Sequence, residues 1–285
     1  MTRIPRDLIK HLEWTPESGA PPVHASPAAP LPVVSGGIVH DTDGYVFEQL
    51  AIAPGLYHDV VFKNSLLSKG AEKTQTDHWA AVQKSKSGVV LPNGQVLYAM
   101  MHRAYASRDD ASLAGVIDPF RAWLKADWET KYKHSGTRID YVSGSLEATI
   151  QHLQFDGSVI PVSVAIPEFT RATNDWSYLV LAPEQPESAL GTCEALPENA
   201  RPFLEGLLGE HYEDAAAVFQ YLSSRHNGNL REVRVWTPTM TNRDTARALV
   251  LGVYGVGDGF DISAISYVGN GRPARGVAVR AKNSP

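Results

Sequence analysis

Leu204, Leu208, Tyr212, Ala215, Phe219 and Leu222 recur at spacings of 4, 4, 3, 4 and 3 residues, a continuous apolar stripe at helical period. The stripe predicts one helix over Arg201 to Ser224, ended by Asn227-Gly228 in the manner of a left-handed cap. An apolar face of that length must be buried against something, and most of the remaining chain offers strands. Ser145 to Leu153 and Ser158 to Ile166 flank Asp156-Gly157 as a hairpin, and Pro161 assigns one of its strands to an edge or a bulge. Ser177 to Ala182, Arg231 to Trp236, Ala246 to Leu251 and Ala274 to Arg280 are further strand patterns. Ser87 to Leu91 and Gln95 to Met101 read as another strand pair, turned by Pro92-Asn93-Gly94. Asp118 as N-cap with Pro119 at the first helical position opens a second helix, with Phe120, Trp123 and Leu124 on one face. This order, without alternating βαβ units, defines an α+β chain with two amphipathic helices, short antiparallel strands and long loops.

The 285 residues suffice for one large domain or two small ones. Residues 1–37 read as a flexible segment, because Gly19 to Pro32 holds five prolines and no charge. Residues 38–86 form an N-terminal extension whose membership of the main domain is open. Residues 87–285 form the main domain. A net charge of −5 argues against a surface built around nucleic acid. The single cysteine, Cys193, excludes an intrachain disulfide framework and any cysteine-rich zinc site. No apolar run approaches the ~20 residues of a membrane helix, so no direct membrane insertion is expected. Met1 to Ala20 lacks the apolar core of a signal peptide. Display on a virion or a cell would therefore need a carrying partner.

Motifs for chemistry are sparse. Gly252, Gly255, Gly257 and Gly259 suggest a phosphate loop, but the third fingerprint position after Gly255 and Gly257 holds Phe260. Glycines that turn the chain between strands explain the cluster better. His40-Asp-Thr-Asp-Gly44 resembles the start of a calcium loop, yet Ile52 stands where the bidentate glutamate belongs, so an Asp-Gly turn is expected. The ten histidines include no His-x-x-x-His pair, and His152 and His211 read as flanks of ordinary elements. Ser143 and Ser145 lack the context of a nucleophile, and Asp109 and Asp110 read as a helix N-terminal cap. No catalytic constellation, metal site or cofactor is expected, which points away from an enzyme.

The informative segment is Val235 to Arg280. Ala246-Arg-Ala-Leu-Val-Leu-Gly252 is followed by Tyr254 to Tyr267 and then by Arg275-Gly-Val-Ala-Val-Arg280. This resembles the end of a C-type-lectin-like domain of the formylglycine-generating-enzyme type, in which an arginine-bearing strand precedes a long loop and an R-x-x-R-like strand closes the chain. Val277 replaces the aromatic of the closing motif. Enzymatic members of that family use cysteines, which the lone Cys193 does not supply. Sugar-binding relatives use Glu-Pro-Asn and Trp-Asn-Asp; Pro197-Glu198-Asn199 and Asn174-Asp175-Trp176 present both in the wrong order. The branch that fits best is the variable proteins of diversity-generating retroelements.

A composition anomaly bears on that branch. Lys, Glu, Gln, Met and Trp number 43 in the chain, yet none falls between Thr241 and Ala281, where about six would be expected. In the family, an error-prone copy of a template repeat mutates only adenines, commonly in AAC or AAT codons. Changing the first two bases of such codons reaches fifteen amino-acid types and never these five. The resemblance thus implies a non-enzymatic ligand-binding protein with a variable region about 237–275. The exposed, varied set is expected to be Tyr254, Val256, Asp258, Phe260, Ser263, Ile265, Ser266 and Tyr267. Aromatics among short polar residues suit recognition of a protein or other macromolecule. Arg247, Arg272 and Arg275 are assigned to scaffold hydrogen bonds or salt bridges. The alternative is a fixed-sequence glycan-binding module or an enzyme of the same fold.

Overall fold

A computed structural model describes residues 36–53, 56–67, 73–84, 88–130, 133–167, 171–172, 176–182, 200–223, 232–238, 244–253, 259–267 and 274–280. The chain opens with β1 (Ile38–His40), β2 (Gly44–Ala53), β3 (Leu56–Leu66), helix α1 (Gln75–Lys84) and β4 (Val89–Val90). Helices α2 (Gly94–Ala106) and α3 (Ala114–Thr130) follow, then β5 (Lys133–Tyr141), β6 (Glu147–Leu153) and β7 (Val159–Ala165). Next come β8 (Arg171–Ala172), β9 (Trp176–Ala182), α4 (Arg201–Leu208) and α5 (Ala215–Ser223). Strands β10 (Glu232–Pro238), β11 (Thr245–Val253), β12 (Gly259–Tyr267) and β13 (Arg275–Val279) complete the described elements. One sheet runs β1-β2-β3-β13-β4; the other runs β7-β6-β5-β11-β12-β10-β9-β8. Every pairing among the described residues is antiparallel except β10 with β12, so the chain mixes helices with two largely antiparallel sheets. No helix among the described residues is long and apolar enough to cross a membrane.

The first sheet decides where residues 38–86 belong. Strand β13 lies between β3 and β4, with Phe62 opposite Val277 and Val60 opposite Val279. Residues 35–285 accordingly form one unit with no seam at residue 87. The apolar side of this sheet meets α3 through rings: Tyr45 and Phe47 lie 5.0 and 5.3 Å from Phe120, and Phe62 lies 5.0 Å from Trp123. Arg275 spreads its guanidinium over Trp123 at 4.2 Å and donates to the Asn64 carbonyl. That is the scaffold role expected of it. The Asp156-Gly157 hairpin, the outer position of the Pro161 strand and the Asp41–Gly44 turn are all present.

Several expectations are corrected, beginning with the number of helices, which is five among the described residues rather than two. The predicted strand pair around Pro92-Asn93-Gly94 is a short strand followed by a helix. Asn93 caps α2 with its side-chain oxygen, accepting from the Val96 N–H at 2.9 Å, and Val96, Met100, Met101 and Ala104 recur at helical spacing and are buried. Helix α3 begins at Ala114 rather than at Pro119. Pro119 withdraws the donor that the Gly115 carbonyl would use, but both residues are exposed and water can serve that oxygen. Asp118 pairs with Arg121 at 3.4 Å instead of capping.

The long helix predicted over 201–224 is two helices joined by a corner. Gly209 and His211 both take positive φ, 76° and 64°, and a short 3-10 turn over Tyr212–Asp214 precedes α5. The apolar stripe survives the break, since Leu204, Leu208, Ala215, Phe219 and Leu222 are all buried. Finally, residues 259–267 are not a loop. They form β12, in the interior of the second sheet between β11 and β10. The Asn227-Gly228 cap, Cys193 and residues 1–35 lie outside the described residues.

Candidate functional site

The C-terminal segment is organised by β11. Alternation along Ala246 to Leu251 buries Arg247, Ala248, Leu249, Val250 and Leu251, so both faces of this strand are covered. Strand β12 pairs with it from Val253–Phe260 to Arg247–Tyr267, with a shift in register between Ala248 and Val250. On its other side β12 runs parallel to β10, Gly259 opposite Glu232 and Ser263 opposite Trp236.

Of the eight expected binding residues, Phe260, Ser263, Ile265, Ser266 and Tyr267 therefore share one strand. Tyr254, Val256 and Asp258 lie outside the described residues. Ile262, between Phe260 and Ser263, is buried at 1% exposure and anchors the strand. Arg247 is buried on β11 and sits near Tyr141, whose hydroxyl is driven upward in pKa by burial and only partly relieved by that guanidinium. Arg247 is thus enclosed within the sheet; Arg272 lies outside the described residues.

Under the helices sits a buried polar network that the sequence alone did not expose. His152 on β6 donates from Nε2 to the Gly206 carbonyl at 2.8 Å, and its Nδ1 accepts from the Thr137 hydroxyl at 2.8 Å. The carbonyl can only accept, which fixes the neutral tautomer. Thr137 in turn accepts from the Gly94 N–H at 2.8 Å, and Gln75 donates to the Ser135 and Thr137 carbonyls at 2.8 and 2.7 Å. Burial pushes His152 down to about pKa 4, against a smaller opposing effect of its bond to Gly206. The network joins α1, α2 and α4 to the second sheet. Its work is structural.

A second constellation lies at the corner between α4 and α5. His102, on α2, places Nε2 3.0 Å from an Asp214 carboxylate oxygen. Its ring stacks on that of His211 at 4.3 Å between centroids, with 3° between planes. Tyr98, one turn earlier on α2, donates its hydroxyl to the His211 carbonyl at 2.7 Å and so helps hold that residue's left-handed backbone. Burial lowers the pKa of His102, as does the neighbouring His211, while the Asp214 carboxylate raises it. The ligand atoms of His102, His211 and Asp214 all lie within 4.8 Å of one another. In the sequence His211 reads as the flank of a helix; nothing local to it indicates that a residue 109 positions upstream shares its site.

The serines singled out have turn roles: Ser143 donates its N–H to Asp244, and the Ser145 hydroxyl accepts from Glu147. Asp110 closes a turn on Ser112 rather than capping α3. Compared with known families, curated proteins and solved structures, the chain has no significant match.

Proposed function

We propose that this chain is a non-enzymatic ligand-binding protein of the retroelement-diversified type, with a C-type-lectin-like fold and a recognition surface carried by residues 237–275. One observation carries the reading: Lys, Glu, Gln, Met and Trp are all missing from Thr241 to Ala281. The five are the types that adenine-directed change of AAC or AAT codons does not reach. The motif-bearing stretches also support it, since Arg247 to Gly252 lies on β11 and Arg275 begins β13. Phe260, Ser263, Ile265, Ser266 and Tyr267 are the proposed contact positions on β12, with Tyr254, Val256 and Asp258 preceding it. Their partner is a protein or another macromolecule. An aromatic buried by it would contribute ~1.5–3 kcal/mol.

The test is in the adjoining DNA. A near-copy of the bases encoding the 41-residue stretch, differing only opposite adenines, should lie beside a reverse-transcriptase gene. Intact flanking DNA without such a repeat removes the diversification. A fixed-sequence binding module would then be the better account.

A further inference from the structure

We propose that His102, His211 and Asp214 bind one divalent transition-metal ion of the zinc class. Two imidazoles and a carboxylate are the donor set such ions take, with a further position left for water or a ligand atom. Two ligands of one ion at ~2.1 Å and ~90–110° apart lie ~3.0–3.4 Å from each other. Nε2 of His102 and the Asp214 oxygen already meet that spacing at 3.0 Å. The third donor is within 4.8 Å of both.

The supports of the three donors differ in rigidity. His102 is held in the middle of α2 and its side chain is only 17% exposed. Asp214 ends the short 3-10 turn that leads into α5. His211 has its backbone fixed by Tyr98, while its exposed ring is held, among the described residues, by the stack on His102 alone. An ion must lie in the plane of each imidazole that binds it. Binding therefore turns the His211 ring about χ2, out of the parallel stack and toward the His102–Asp214 pair, without moving the backbone. The strained left-handed residue is then explained by what it carries: a corner at that point delivers a third donor from outside α2.

This inference is independent of the proposed C-terminal recognition surface. The test uses the full chain, metal-free, titrated with cobalt(II) and followed by visible absorption, with zinc added afterwards in competition. One equivalent should bind, zinc should displace it, and affinity should fall as pH drops and protons compete for the imidazoles. His211→Asn keeps a residue that accepts the left-handed conformation, and Asp214→Asn keeps the shape of the carboxylate. Each should weaken binding at least tenfold while circular dichroism stays unchanged. Unaltered affinity in both folded variants would overturn the site.

A second measurement needs no variant. Zinc should protect His102 and His211 of the natural chain from diethylpyrocarbonate, read by mass spectrometry, leaving His40 and His58 reactive. Equal labelling of His102 and His211 with and without zinc overturns the proposal.

Discussion

At the scale of single residues, the polar groups beneath α2 dictate more than the apolar ones. Asn93 accepts from Val96 with its oxygen and donates from its amide to the Leu153 carbonyl at 3.0 Å. Asn93→Ala should therefore cost about 2–3 kcal/mol in denaturant unfolding, more than an exposed cap, because a buried carbonyl is also orphaned. His152 gives the molecule a pH dependence whose sign is fixed. Its folded pKa of about 4 lies below the ordinary imidazole value of 6.5, so the unfolded chain takes up the proton first. Stability from this residue is complete above pH 6.5 and is lost as pH falls toward 4, about 3 kcal/mol in all. Unfolding free energies at pH 7.5 and 4.5 should differ, and His152→Gln should flatten the difference. Asn93-Gly94 is visible in the sequence as punctuation, but the same pair serves a tight turn and a helix start. What decides is distant: a Cβ on Gly94 would lie 2.6 Å from the Leu207 carbonyl oxygen, so helix α4 requires glycine there.

Elements tell the same story with larger pieces. The Asp156-Gly157 hairpin was legible because turn chemistry and alternation are local and agree. The break in the 201–224 stripe was not, since an apolar stripe looks the same whether a helix continues or turns a corner and resumes. Only Gly209 marks it in the sequence. Gly209→Ala should cost about 1–3 kcal/mol, because its φ of 76° with ψ of −151° suits glycine alone, measurable as a lowered denaturation midpoint with unchanged slope. Pro119, exposed within α3, works the other way: Pro119→Ala restores a hydrogen bond to Gly115 and should raise stability by about 2–3 kcal/mol. Strand β12 is not legible in the sequence because its one glycine, two serines and aspartate suit loops, and its two neighbours hold it extended despite that composition. Ile262→Ala should cost about 2–4 kcal/mol in the same unfolding measurement.

Across the whole molecule, sheet topology accounts for what sequence order concealed. The membership of residues 38–86 is not legible locally, because the strand that joins β3 to the rest of its sheet lies more than two hundred residues downstream. The lateral groups of the candidate metal site are likewise gathered by packing of α2 against α4 and α5 rather than by spacing. Strand β13, inserted between β3 and β4, has a further consequence. A chain that stops early, or loses its reading frame anywhere between β11 and Arg275, arrives without the strand that joins those two. Val60, Phe62 and Val90 are then left at unpaired edges, and the product should appear as insoluble or protease-sensitive material on expression. If the preceding region is rewritten by error-prone copying, only copies that return in frame to Arg275 can complete the first sheet. The fold would then act as an inspector of the message, passing altered side chains and rejecting broken text.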